Sequence, residues 1–113
     1  MSQWHPYEDG ETIVMTGAEG GRIVADEQHD GGARITLERD CLRAPYAITS
    51  TVYGWLYHTR FIADEPTAKQ AYDDMKPALE AIVALLPSDA DGEETPDAEQ
   101  MEQAVADFAE EFA

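Results

Sequence analysis

The stretch ITSTVYGWLYHTRFI, residues 48–62, decides the fold. It is apolar, β-branched and aromatic, a composition that suits strands. As one strand it would be roughly 50 Å long, well beyond ordinary strand length. Gly54 offers a break. PYAITSTV and WLYHTRFI are therefore read as two antiparallel strands turning at Tyr53-Gly54. One strand bent by a glycine bulge is the alternative. In the second strand Trp55, Tyr57, Thr59 and Phe61 share one face. Leu56, His58, Arg60 and Ile62 share the other. Aromatic side chains bury the most area, so the first set is expected to face the core. The second set is expected to be half covered.

Upstream, the pattern stays strand-like. Residues 1–10 read as an irregular lead-in with a proline and an Asp9-Gly10 turn pair. ETIVMT is short and β-branched and ends in GAEGG; RIVADEQ ends in HDGG; ARITLERD alternates cleanly. Period-two segments between glycine-rich turns predict an antiparallel meander. Pro45 sits at a strand entry, where its missing N–H does least harm.

Downstream, the period changes. Asp64 is a good N-cap, and Pro66 fits a first helical turn. Ala68, Ala71, Tyr72, Met75, Leu79, Ile82, Val83 and Leu86 then recur at helical spacing. Pro77 lies inside this helix and is expected to kink or split it. SDADGEETPD reads as a linker, and Thr95-Pro96-Asp97 as a second helix start. Met101, Val105, Phe108 and Phe112 follow at steps of four, three and four, an apolar stripe on an acidic helix. Such a stripe is expected to dock on its own domain, on a second copy or on another protein.

The expected fold is α+β: an antiparallel meander sheet of four to five strands packed on one kinked helix, plus a C-terminal acidic amphipathic helix. The expected organisation is an α+β domain over residues 1–87, an acidic linker over 88–96 and the acidic helix over 97–113. A chain of 113 residues can bury a core without disulfides or metals.

Charge narrows the partners. The chain has 24 acids against 7 bases, a net of −17. Residues 1–87 hold 14 of the acids and every base; residues 88–113 hold the other 10 acids. Repulsion from phosphate argues against nucleic acid and anionic membranes. Lysine is scarce, a pattern also found in proteins adapted to high salt. The single cysteine, Cys41, excludes an intrachain disulfide and favours a reducing compartment. The first residues carry no basic, apolar leader, so a cytoplasmic location is expected.

Each candidate for chemistry has a plain structural counterpart. Cys41 and His58, oriented by Asp40 or Asp64, would make a nucleophile and base, but no signature surrounds them. Asp26, Glu27, His29 and Asp30 are suitable metal ligands without a recognised spacing. A polar hairpin turn explains them better, and His5 near Glu8 and Asp9 is weaker still. GAEGGR lacks the lysine and the following helix of a phosphate loop and reads as a turn. No catalytic, cofactor-binding or metal-ligating residue is therefore assigned, and no cofactor is expected.

The leading expectation is a non-enzymatic protein-association domain, a homodimer or a subunit of a complex. Its expected association surface is Met101, Val105, Phe108 and Phe112. The alternative is a small-ligand-binding or enzymatic domain using the strand that carries Tyr57, His58 and Arg60. A third reading makes the acidic helix a phosphate mimic that inhibits a basic protein. A buried aromatic face without a pocket would favour association. An open concave face lined by Tyr57, His58 and Arg60 would favour a ligand.

Overall fold

The computed structural model describes residues 4–85 and 98–112. The linker expected over residues 88–96, together with Leu86, lies outside the described residues. Five strands form one antiparallel meander: β1 (Trp4–Pro6), β2 (Arg22–His29), β3 (Ala33–Arg39), β4 (Tyr46–Val52) and β5 (Leu56–Ile62). Two helices follow, α1 (Glu65–Val83) and α2 (Ala98–Glu111). The expected α+β architecture is thus the one observed.

The hairpin reading of residues 48–62 holds, and its register runs from Tyr46 opposite Ile62 to Val52 opposite Leu56. Gly54 adopts φ +80°, a left-handed conformation that suits glycine. The upstream expectation needs two corrections. ETIVMT is not a strand; it turns, with only Thr16 bridging to Arg22. The edge strand is instead Trp4–Pro6, inside the expected lead-in, because the Trp4 indole packs edge-on against His29 and donates to Glu80 on α1.

Directly paired residues of an antiparallel sheet share a face. One face carries Ala33, Ile35, Leu37, Ile48, Val52, Leu56 and Ile62, all buried in one cluster with Ala68, Ala71, Tyr72, Met75, Leu79 and Ile82 of α1. Asp64 caps α1 by accepting from the Thr67 amide at 2.9 Å. This bond holds the Asp64 carboxyl below its usual pKa. Pro77 does not split the helix. It lies on the exposed side, where the carbonyl it leaves without a donor can be hydrated.

The expected core parity of β5 is reversed. Leu56 and Ile62 are buried, whereas Tyr57 is 68% exposed and Phe61 43% exposed; Trp55 is half-buried at the edge of the cluster. Register outweighs side-chain size here. Leu56 sits opposite the buried Val52, and Arg60 opposite the buried Ile48, so the parity of β4 fixes that of β5. Phe61, opposite Ala47, points away from the helices.

The apolar stripe of α2 lies on the same chain. Met101, Phe108 and Phe112 are buried in the core cluster, with Val105 packed against it. His58 meets Phe108 edge-on at 5.8 Å between ring centroids. Its Nε2 lies 2.9 Å from the Phe112 carbonyl. A carbonyl only accepts, so that nitrogen carries the proton and closes the C-terminus of α2.

Candidate functional site

The helices leave the second face of the sheet uncovered. Its residues follow from the register: Asp26 pairs with Thr36, Thr36 with Thr49, and Thr49 with Thr59. One row along, Arg34 pairs with Thr51 and Thr51 with Tyr57. One row the other way, Glu38 pairs with Ala47 and Ala47 with Phe61. A threonine ladder therefore crosses β3, β4 and β5, flanked by a cation on one side and a carboxylate on the other.

The two carboxylates of this face are buried and hold down the loop before β2. Asp26 accepts from Arg34 Nε at 2.9 Å and Arg34 Nη2 at 2.6 Å, a bidentate pair. It also accepts from the hydroxyls of Thr12 and Thr36, at 2.9 and 3.0 Å. The guanidinium lies over the Tyr7 ring at 3.7 Å. Glu38, 0% exposed, accepts from the amides of Glu19 and Gly21 at 3.1 and 3.2 Å. Burial pushes its carboxyl above the usual range, against the two amides that pull it down. Gly17 closes over the same carboxylate; a Cβ there would lie 2.3 Å from Cδ of Glu38. The glycine-rich turn GAEGG thus does more than end a strand. It wraps a buried acid.

Between this loop and β5 lies a cleft of about 310 Å³. Thr36, Thr49 and Thr51 line it from the sheet, Thr12 and Met15 to Ala18 from the loop, and Tyr57 from β5. Met15 and Tyr57 are both exposed, an apolar and an aromatic lip over a hydroxyl-rich floor. Val14, next to Met15, holds φ +69°, an unfavourable conformation for a β-branched residue. Among the described residues, two buried side-chain oxygens have no hydrogen-bond partner within the protein: Thr49 Oγ1 and Ser50 Oγ. Ser50 belongs to the helix-covered face. Thr49, 8% exposed, lines the cleft.

Tyr57, His58 and Arg60 do not form the single surface expected of them. Strand alternation sends Tyr57 to the cleft and the other two to the helix side, where His58 is tied to α2. Arg60 lines a shallow depression against Pro66, Thr67 and Asp74 of α1. Cys41 and His58 are also not brought together. The Cys41 thiol lies beside Gly21, and burial with nearby carboxylates pushes its pKa up to about 11. It is thus protonated and a poor nucleophile at neutral pH.

The Asp26-to-Asp30 cluster is dispersed as well. Asp26 binds Arg34; Glu27, across the sheet, takes the Tyr72 hydroxyl and Lys76; His29 accepts from Gly31; Asp30 meets His5 at 2.8 Å. Among the described residues no three such side chains converge as metal ligands would. The described residues also include no helix long and apolar enough to cross a membrane.

A larger groove, about 480 Å³, lies between α1 and the sheet, lined by Leu37, Arg39, Tyr46, Lys69 and Tyr72. Several of its polar groups are engaged: Lys69 with Glu65, Tyr46 with Glu65, Tyr72 with Glu27 and Arg39 with Asp40. The threonine cleft is distinguished by Thr49, whose buried Oγ1 has no partner within the protein. Sequence reasoning missed it by giving residues 11–16 to a strand. The available signal was ARITLERD, whose non-core parity, Arg34, Thr36 and Glu38, is a hydrogen-bonding set. Comparisons with protein-family models, curated proteins and solved structures find no match to this chain.

Proposed function

We propose that this chain is a non-catalytic binding domain that takes a small ligand in the threonine cleft. The observation that carries this reading is the cleft floor, where Thr49, whose buried Oγ1 has no partner within the protein, stands beside Thr36, Thr51 and the exposed Tyr57. A buried hydroxyl left unsatisfied costs about 1–3 kcal/mol, which a ligand hydrogen bond recovers. Of the aromatic parity of β5, Tyr57 is exposed and lines the cleft. The cleft volume falls at the lower end of the roughly 300–1,000 Å³ usual for ligand sites. Of the titratable side chains at the cleft, Glu38 is bound to two amides and Arg34 to Asp26, an arrangement that favours binding over proton transfer.

A backbone-amide NMR screen of small polar molecules tests this. Binding should shift the resonances of Thr16, Thr36, Thr49, Thr51 and Tyr57 together. Thr51→Phe, which places a ring at the cleft, should abolish those shifts while leaving the spectrum of α1 intact. A screen that moves none of them, or moves only residues of the groove beside α1, refutes the reading.

One observation favours association as a second reading. On the strand residues of the helix-free face the only acids are Asp26 and Glu38, both buried, in a chain of net charge −17. A face whose strand carboxylates are both buried, and which bears Tyr57 and Phe61, suits a second copy, since stacking two such faces brings no exposed carboxylate of the strands together. Sedimentation velocity would then show a dimer that Phe61→Glu dissociates. A monomer in both chains eliminates this reading.

A further inference from the structure

The cleft also constrains the chemistry of its ligand, and this step rests on the ligand-binding reading above. We propose that it recognises a neutral, polyhydroxylated molecule, a single sugar or polyol unit. Three independent features converge on that class.

The first is the floor. Thr36 and Thr49 stand opposite each other in register, and Thr51 lies one row along. A threonine hydroxyl both donates and accepts, as the hydroxyls of a sugar do. Thr36 already donates to Asp26, which leaves its lone pairs for a ligand donor. Thr49 has its whole capacity left.

The second is charge. An anionic ligand would enter the field of a chain with net charge −17, and the cation at the cleft, Arg34, already holds Asp26 at two points. A cationic ligand would find no free carboxylate. Glu38 Oε1 accepts two backbone amides beneath the loop, and Asp26 accepts four donors. Both charges are spent on structure, so the cleft selects a neutral guest.

The third is the lip. The Tyr57 ring is largely exposed beside the hydroxyl floor. A sugar ring has an apolar C–H face and a polar rim of hydroxyls. It can lay the first on an aromatic ring while the second reaches threonines. Met15 supplies an apolar wall on the loop side.

The test titrates the full chain with methyl glucoside, methyl galactoside and myo-inositol, beside glucose 6-phosphate and glucosamine as charged counterparts. Amide shifts locate each probe, and their concentration dependence gives affinity. At least one neutral probe should shift the cleft residues and bind more tightly than its charged counterpart. Thr49→Val keeps the shape and removes the hydroxyl, and should weaken that binding by about five- to tenfold. Tyr57→Ala should weaken it further.

The melting temperature of Thr49→Val is the control on folding. Losing an unpartnered buried hydroxyl should leave it unchanged or raised. A clear drop would mean that the hydroxyl is already satisfied, and would overturn the proposal. If only charged probes reach the cleft, the ligand reading survives and the neutral class fails. If no probe reaches it, both fail.

Discussion

The two faces of one sheet are held by different forces. Beneath α1 and α2 the contacts are apolar, and Met75, Leu79 and Met101 are fully buried there. On the opposite face the cover is a loop, fixed by Asp26 to Thr12 and Arg34 and by Glu38 to the Glu19 and Gly21 amides. Apolar packing is tolerant of direction and indifferent to pH. Buried carboxylates need specific donors, so they hold a loop in one geometry and bring fixed polarity to a cleft. The covered face stabilises the molecule; the other face is organised.

Substitutions can break this contrast. The largest effect is expected on the covered face: Leu79→Ala removes a fully buried side chain and should cost about 3–4 kcal/mol in urea unfolding. Equal loss from an exposed position such as Phe61→Ala would contradict the assignment of faces. Next comes Asp26→Ala, which strips the acceptors from Arg34, Thr12 and Thr36 at once. Breaking a buried pair typically costs about 3–5 kcal/mol. The Arg34 side chain is 36% exposed and can regain water, so about 2–3 kcal/mol is expected. Hydrogen exchange should accelerate in residues 12–18 more than in α1.

The smallest effect sharpens the comparison through pH. Burial raises the Glu38 pKa, so the folded chain holds this proton more tightly than the unfolded chain. Its contribution to stability then falls as pH rises from the usual carboxyl range through the raised value. Above that window the ionised carboxylate carries its full desolvation penalty. Glu38→Gln cannot ionise, and its amide oxygen can still accept from Glu19 and Gly21. The variant should therefore match or exceed the native urea midpoint near neutral pH. Its advantage should shrink as pH falls toward about 4. An advantage that grows on acidification would mean that Glu38 stabilises the loop as an anion.

Several elements were legible because they depend on near neighbours in the chain. The α1 stripe and its Asp64 cap are set by helical spacing and by a carboxylate three residues from the amide that donates to it, that of Thr67. The hairpin at Gly54 needed only a left-handed residue between two apolar runs. The spacing of Met101, Phe108 and Phe112 likewise announced a buried stripe, though not the surface it would meet.

What the chain alone left open was decided by partners far away in sequence. Periodicity divides β5 into two faces but does not rank them; pairing with β4 and the cover of the helices turned the aromatic parity outward. Residues 11–16 have strand-like composition, yet Trp4 secured Trp4–Pro6 to β2 and α1, and Thr12 was drawn to Asp26. The cleft exists only because that loop crosses the threonine ladder, joining residues from four strands and the loop before β2. Local patterns specify which side chains share a face. Which face is buried, and what a loop encloses against it, depends on contacts that form only when the whole sheet and its helices have closed.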